Sequence, residues 1–192
     1  MKRAIALGTF DGVHIGHRAI INAAINKAAE LDMEPMIYTF TAHPMALFGK
    51  QPPLLMTQSE RMAALGGMGC TLSADEFSAE YAATEPEQFI KMLIERFNMG
   101  CAVAGFNYTF GRRGEGSVEL IKKLGEKYGF AVEIVPPVMY KGEAVSSTRI
   151  RACLEAGRVK DAGEMLGAPY SITGPVIRNR GIGRTLDYQK EN

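Results

Sequence analysis

Two short segments concentrate the residue types that can do chemistry. The first reads Gly8-Thr9-Phe10-Asp11-Gly12-Val13-His14-Ile15-Gly16-His17. It sets two imidazoles three residues apart, where the apolar run Ala4–Leu7 gives way to an amphipathic stretch. A helix starting there offers free N–H groups and partial positive charge, which suits phosphate. Gly12 and Gly16 lack a Cβ, so backbone and phosphate can approach closely. At i and i+3 both imidazoles can face one ligand. Two other readings use the same residues. One is a tight glycine turn with incidental histidines. The other is a metal pair completed by His43 or Asp11, although zinc pairs on helices are usually spaced i, i+4 and need a third ligand. All three histidines fall at expected strand ends, which favours a ligand over coincidence.

The second segment is Val145-Ser146-Ser147-Thr148-Arg149-Ile150-Arg151. Ser147 is the expected N-cap, because Ile150, Cys153 and Leu154 then form one apolar stripe. Arg149 and Arg151 in the first turn oppose the helix dipole, at about 0.3–1 kcal/mol each. A polyphosphate at the helix start would offset that cost by taking hydroxyl, N–H and guanidinium donors together. Solvated arginines that simply tolerate the penalty are the alternative.

These segments need elements to position them. Ala4–Leu7 reads as a buried strand, and Ile21, Ala24, Ile25 and Ala28 mark a helix from after Gly16 to about Leu31. Met36–Phe40 is the next strand, and Ser59–Leu65 a short helix. A helix begins at Pro86, with Phe89, Met92, Leu93 and Phe97 on one face. Ala102–Ala104 is a strand ending at Gly105. Ser117–Tyr128 is helical, Ala131–Val135 extended, and Ser147–Ala156 and Val159–Leu166 are two short helices. Cys70–Leu72 is the only extended candidate between residues 70 and 81. Alternating strands and helices predict an α/β fold, a mostly parallel sheet flanked by helices, with ligands beyond the carboxyl ends of the strands. Ser171–Ile177 reads as one further strand, and Arg178–Asn192 as a polar tail.

Bulk properties narrow the function. The 192 residues suit one domain plus a short appendage. With 22 basic and 21 acidic residues the net charge is +1, so no surface for wrapping nucleic acid is expected and any anion site is local. Cys70, Cys101 and Cys153 form no Cys-x-x-Cys pair, and free thiols are expected. No apolar stretch approaches the roughly 18 residues of a membrane span, and the expected location is cytoplasmic.

Taken whole, Gly8–His17 resembles the His-x-Gly-His signature of the nucleotidyltransferase superfamily. Its fuller Gly-x-Phe-Asp-Gly-Val-His-x-Gly-His form is similar to bacterial bifunctional riboflavin kinase/FMN adenylyltransferase. Val145–Arg151 resembles that family's Ile-Ser-Ser-Thr-x-x-Arg, with Val145 for the leading Ile. Thr39–Pro44 is similar to its Thr-Phe-x-x-His-Pro, Leu55–Arg61 to its Leu-Thr-x-x-Glu-Lys/Arg, and Gly105–Gly111 to its Gly-x-Asp/Asn-Phe/Tyr-x-Phe-Gly loop. The local alternatives are an ordinary strand stop before Pro44, a common capping pattern at Leu55–Arg61, and aromatics that anchor the 105–111 loop.

The resemblance implies a Rossmann-like nucleotidyltransferase domain over residues 1–168 that joins ATP and FMN into FAD and pyrophosphate. It places Gly8, Phe10, Asp11, Gly16, His17, Gly105, Ser146, Ser147, Thr148 and Arg151 in the ATP site. His43, Pro44, Asn107 and Phe110 fall by the flavin, and His14, His17 and Arg151 are the catalytic candidates. His14 and His17 would hold the α/β phosphates, and Ser146–Thr148 with Arg151 the β/γ phosphates. Mg2+ would accompany ATP without a dedicated protein ligand set, Asp11 being a candidate to orient it or a histidine. Arg149 is expected to face elsewhere, and Arg112–Gly116 to be a basic flap or a solvated turn. Residues 169–192, through Gly174–Val176 and Gly183–Leu186, resemble the opening of the riboflavin kinase domain, whose activity is not expected here. An adenylyltransferase with another phosphorylated acceptor and a non-catalytic flavin or nucleotide module are the competing functions.

Overall fold

A computed structural model describes residues 1–174. The apolar runs become a five-stranded sheet of β1 (Arg3–Leu7), β2 (Glu34–Phe40), β3 (Thr71–Asp75), β4 (Met99–Gly105) and β5 (Ala131–Val135). Their order is β3-β2-β1-β4-β5, and every neighbouring pair is parallel. The chain winds outward from β1 to β3, then returns to β4 on the other side of β1. The carboxyl ends of β1 and β4 therefore flank the point where the winding reverses, the position at which such sheets bind ligands. Ala6 lies opposite Val103, which brings Gly8 and Gly105 to the two sides of that crevice.

Strand alternation sends Ala4 and Ala6 to one face and Ile5 and Leu7 to the other. The small residues admit α1 (Ile15–Glu30), which buries Ile21, Ala24 and Ala28 against them, while α2 (Gln58–Gly66) adds Leu65. On the opposite face, after the one-turn α3 (Ala79–Ala82), α4 (Pro86–Phe97) contributes Phe89, Ile90 and Leu93. There α5 (Val118–Tyr128) contributes Ile121 and Leu124. A third cluster joins Leu55 and Val145 to α6 (Ser147–Glu155) and α7 (Val159–Leu166) through Ile150, Cys153, Ala162 and Met165.

The strand after Cys70 is more regular than its composition suggests. Thr71–Asp75 pairs in unbroken register with Met36–Phe40. It is an edge strand, half-buried along most of its length, so polar side chains are tolerated. Asp75 closes it by accepting from the Tyr38 hydroxyl at 2.8 Å and pairing with Arg96. A two-residue hairpin, β6 (Met139–Tyr140) and β7 (Glu143–Ala144), follows the Pro136-Pro137 stop and leads directly into Val145. Residues 169–174 form no regular element. The rest of the expected strand, the 178–192 tail and the 183–186 segment lie outside the described residues. No helix among the described residues is long and apolar enough to cross a membrane.

Candidate active site

The loop after β1 is built under strain. Phe10 (φ 53°), Gly12 (φ 81°) and Val13 (φ 40°) all occupy the left-handed region. A bulky or β-branched residue there costs on the order of 1–3 kcal/mol and persists only where its surroundings over-determine it. Phe10 and Val13 are fully buried, which supplies that determination. Gly12 is required, since a Cβ would lie 2.7 Å from Leu55 Cδ1. The tight reversal delivers His14 as the N-cap of α1, where its Nδ1 accepts from the His17 backbone N–H at 3.2 Å. An accepting Nδ1 leaves the proton of neutral His14 on Nε2, as a donor.

His14 and His17 stack with centroids 3.5 Å apart and planes 16° apart. The edge of the Phe10 ring meets His17 at 5.4 Å. Burial pushes His14 down to about 4. Burial also drives His17 well below the usual imidazole range, with the charges of His14 and Arg61 acting in the same direction. Both imidazoles are therefore neutral donors at pH 7, and an anion placed against them would restore their basicity. The Nδ1 of His17 is buried with no hydrogen-bond partner among the described residues.

The second segment comes to the same place. Ser146, one residue earlier than expected, caps α6 by accepting from Arg149 N–H at 3.2 Å. The Ser147 hydroxyl is otherwise engaged, donating to the Asp11 carbonyl at 2.9 Å. Asp11 is 4% exposed, and its carboxylate accepts from Leu55 N–H at 3.2 Å and from the Arg151 guanidinium. Arg151 Nε donates to the Pro53 carbonyl at 2.6 Å. The two helix starts are thus pinned to one another through Asp11. Arg151 is partly committed by these bonds and keeps Nη1 without a protein acceptor among the described residues. Thr148 is exposed at the helix start. Arg149 turns away to the hairpin, bonding the Glu143 carbonyl at 2.9 Å and pairing with its carboxylate at 3.2 Å.

The glycines matter by proximity. A Cβ on Gly8 would sit 3.0 Å from the Phe10 ring, and one on Gly16 3.1 Å from the His14 ring. One on Gly105 would sit 3.2 Å from Ile20 Cδ1. His43 caps a 3-10 turn over Pro44–Phe48, its Nδ1 accepting from Met45 N–H at 3.2 Å. Burial lowers its basicity, partly offset by Asp11 and reinforced by Arg151 and Arg61. A small pocket lies between Thr9, Asp11, His43, Met56, Gln58 and Arg61. Asn107 is exposed beside Gly105. Phe110, expected by the flavin, is 6% exposed, packed 5.6 Å from Phe89, and anchors the loop. The aromatic that the loop leaves exposed is Phe106. Arg112 forms ion pairs with Glu85 and Glu115, fastening the 112–116 segment rather than leaving it a free flap.

Arg61 closes the Leu55–Arg61 pattern, which by itself gives it no role beyond the helix start. Thr57 and Glu60 do form the capping box that the pattern suggests. The residue after them is nevertheless buried, donating to Thr9, Thr39, Phe40, Thr41 and Gln58 oxygens. The available signal was an arginine four residues before buried Leu65, on the apolar face of α2. Among the described residues no three His, Cys, Asp or Glu side chains cluster to hold a metal.

Comparison with known proteins gives the family. Residues 1–149 match the family model described as FAD synthetase. The chain belongs to the FAD synthetase family. It is 35% identical over 196 residues to the bifunctional riboflavin kinase/FMN adenylyltransferase of Bacillus subtilis, covering 100% of this chain and 61% of that one. It is 34% identical to an FAD synthetase of Listeria monocytogenes, covering 96% and 76% respectively. A crystal structure described as a macrolide-efflux protein from Streptococcus pneumoniae superimposes with TM-score 0.85 at 32% identity, covering 97% of this chain and 62% of that one. The chain spans about three fifths of the length of the bifunctional relatives it matches.

Proposed function

We propose that this chain transfers the adenylyl group of ATP to FMN, giving FAD and pyrophosphate. The observation that carries the reading is the convergence of two helix N-termini, one bearing stacked neutral imidazoles and the other hydroxyls and a guanidinium, joined through Asp11. Family membership supports the same chemistry.

The FMN phosphate has a second pKa of about 6 and is largely dianionic at neutral pH, so it needs no general base. One of its oxygens attacks the ATP α-phosphorus in line. The α–β bridging bond breaks as the new P–O bond forms, and the electron pair leaves with pyrophosphate. No proton moves in this step. His14 and His17 donate to the α/β phosphate oxygens, where charge builds up. Ser146, Thr148 and the free end of Arg151 receive the departing β/γ phosphates, while Ser147 and Asp11 hold the two segments together. Mg2+ would come as part of the MgATP substrate, held mostly through water, and would neutralise phosphate charge. Asp11 is taken by Leu55 and Arg151 and orients the second segment rather than the metal. His43, Pro44 and Asn107 border the acceptor side, and Phe110 supports that side by anchoring its loop. Free thiols at Cys70, Cys101 and Cys153 suit a reducing cytoplasm.

Chromatography after incubation with MgATP and FMN tests the reading, with phosphopantetheine and nicotinamide mononucleotide as competing acceptors. FAD together with equimolar pyrophosphate is expected only with FMN. Turnover of another acceptor in preference to FMN would move the specificity elsewhere, and tight binding of both substrates without pyrophosphate would make the chain a non-catalytic module.

A further inference from the structure

We propose that Arg61 is a positioning residue for nucleotidyl transfer, fixing the carboxyl ends of β1 and β2 and, through them, the loop that presents His14 and His17. This deepens the adenylyl-transfer reading above and rests on it.

Arg61 is 6% exposed, and among the described residues no carboxylate pairs with it. Its guanidinium is instead spent on uncharged oxygens. Nη1 donates to the Thr9 carbonyl at 2.6 Å and the Thr39 hydroxyl at 3.1 Å. Nη2 donates to the Phe40 carbonyl at 2.6 Å, and at 3.3 Å to that of Thr41. Burying a charge this way is expensive, and stability alone is served as well by an apolar side chain of similar size. The acceptors show what the charge achieves. They lie where β1 and β2 part company, just past the Gly8 N–H bond to the Tyr38 carbonyl. Without Arg61 the Phe40 and Thr41 carbonyls would lose their donor, and the Thr9 carbonyl would keep only the Thr39 hydroxyl, at 3.3 Å.

Thr9 is the pivot. Its carbonyl immediately precedes Phe10, the first left-handed residue of the strained loop, and the Phe10 ring meets His17 edge-on. A rigid fork bonded to both strand ends fixes the direction of that carbonyl, and so the entry to the turn. A lysine, the other residue of the Leu-Thr-x-x-Glu-Lys/Arg pattern, keeps the charge but offers fewer fixed donors, whereas a glutamine loses the charge. Both Nη groups are fully engaged within the chain, so Arg61 acts through the loop rather than by gripping a phosphate. It also contributes positive potential. His17 is faced by His14 from its own helix and by Arg61 from α2, while the Asp11–Arg151 pair and Arg61 face His43.

The test uses Arg61→Lys and Arg61→Gln in the full chain, with steady-state kinetics for FMN and MgATP. NMR titration of the histidine rings in the ligand-free protein runs beside it. Both variants are expected to fold, with kcat in Arg61→Gln reduced about 10- to 100-fold, KM for MgATP moved less than about 3-fold, the signature of lost alignment, and a smaller loss in Arg61→Lys. The His17 midpoint is expected to rise in Arg61→Gln and to stay lower in Arg61→Lys, which a merely structural brace would not produce. A folded Arg61→Gln with kcat within about twofold of wild type overturns the proposal. Failure of both variants to fold also overturns it, since Arg61 is then a residue of global stability. If wild type makes no FAD, the titration still decides. The missing FAD sinks the adenylyl-transfer reading, and the titration separately tests the link between Arg61 and the histidine loop: an unmoved His17 midpoint in Arg61→Gln overturns that link, and a raised one upholds it.

Discussion

The hydroxyl of Ser147 donates to the backbone carbonyl of Asp11 at 2.9 Å, across 136 residues of sequence. The Asp11 side chain reaches the same helix a second time, through Arg151. One residue of the first motif therefore sets the position of the second. Neither helix start can move without pulling on the other, so the two motifs share one geometry.

That coupling has a measurable size. Asp11 and Arg151 side chains are 5% and 14% exposed, and removing one partner of a buried pair typically costs about 3–5 kcal/mol. Asp11→Ala should fall in that range by urea unfolding. Arg151→Met should recover part of the loss when added to Asp11→Ala, because no uncompensated charge remains, but should not recover turnover. Additive stability effects in the double variant would contradict the pairing.

The two histidines should fail differently. His17 Nδ1 makes no bond within the described residues, so His17→Ala should stay folded while kcat falls about 10²–10³-fold. His14 also caps α1, and His14→Ala should lose about 1 kcal/mol of stability besides activity. His14→Asn keeps a capping oxygen and should restore the stability alone. Thermal melts beside kcat for the three variants separate the roles, and near-normal turnover in His17→Ala would remove it from the chemistry.

Acid should destabilise the ligand-free protein through the same residues. His14 titrates at about 4 when folded, against roughly 6.5 unfolded. The unfolded chain takes up its proton first, so the contribution is whole above pH 6.5 and is lost as pH falls towards 4. The total is on the order of 3 kcal/mol, of which about 2 kcal/mol is gone by pH 5. His17 adds in the same direction. Urea unfolding at pH 7 and pH 5 should show His14→Asn losing about 2 kcal/mol less than wild type. Equal losses in the two proteins would show that His14 is not held neutral.

Gly12→Ala should be among the most harmful small changes in the loop. It adds a Cβ at φ 81°, within 2.7 Å of Leu55 Cδ1, and about 1–3 kcal/mol of stability should go with it. A melting temperature equal to wild type would mean that the turn relaxes freely.

Local periodicity made much of this architecture legible. The apolar faces of α1 and α4, the parallel sheet and the placing of both motifs at helix starts all rest on spacing within a few residues. Long-range partners left no such trace. Arg61 reads as the end of a common helix-capping pattern until Thr9, 52 positions away, accepts from it. Arg151 looked like a free phosphate donor because nothing local shows that Asp11 takes part of its capacity. Phe110 looked like a ring for stacking, and only the packing of α4 against its loop turns it inward. Thr71–Asp75 was hidden by its edge position, where a strand needs no apolar run.

The central claim is that both motifs grip one triphosphate, and a crystal structure with a non-hydrolysable ATP analogue and Mg2+ tests it most directly. The account predicts the α-phosphate within hydrogen-bonding distance of His14 and His17, with the β and γ phosphates at the start of α6 beside Ser146, Thr148 and Arg151. A triphosphate bound to only one of these helix starts, or away from both, would contradict it.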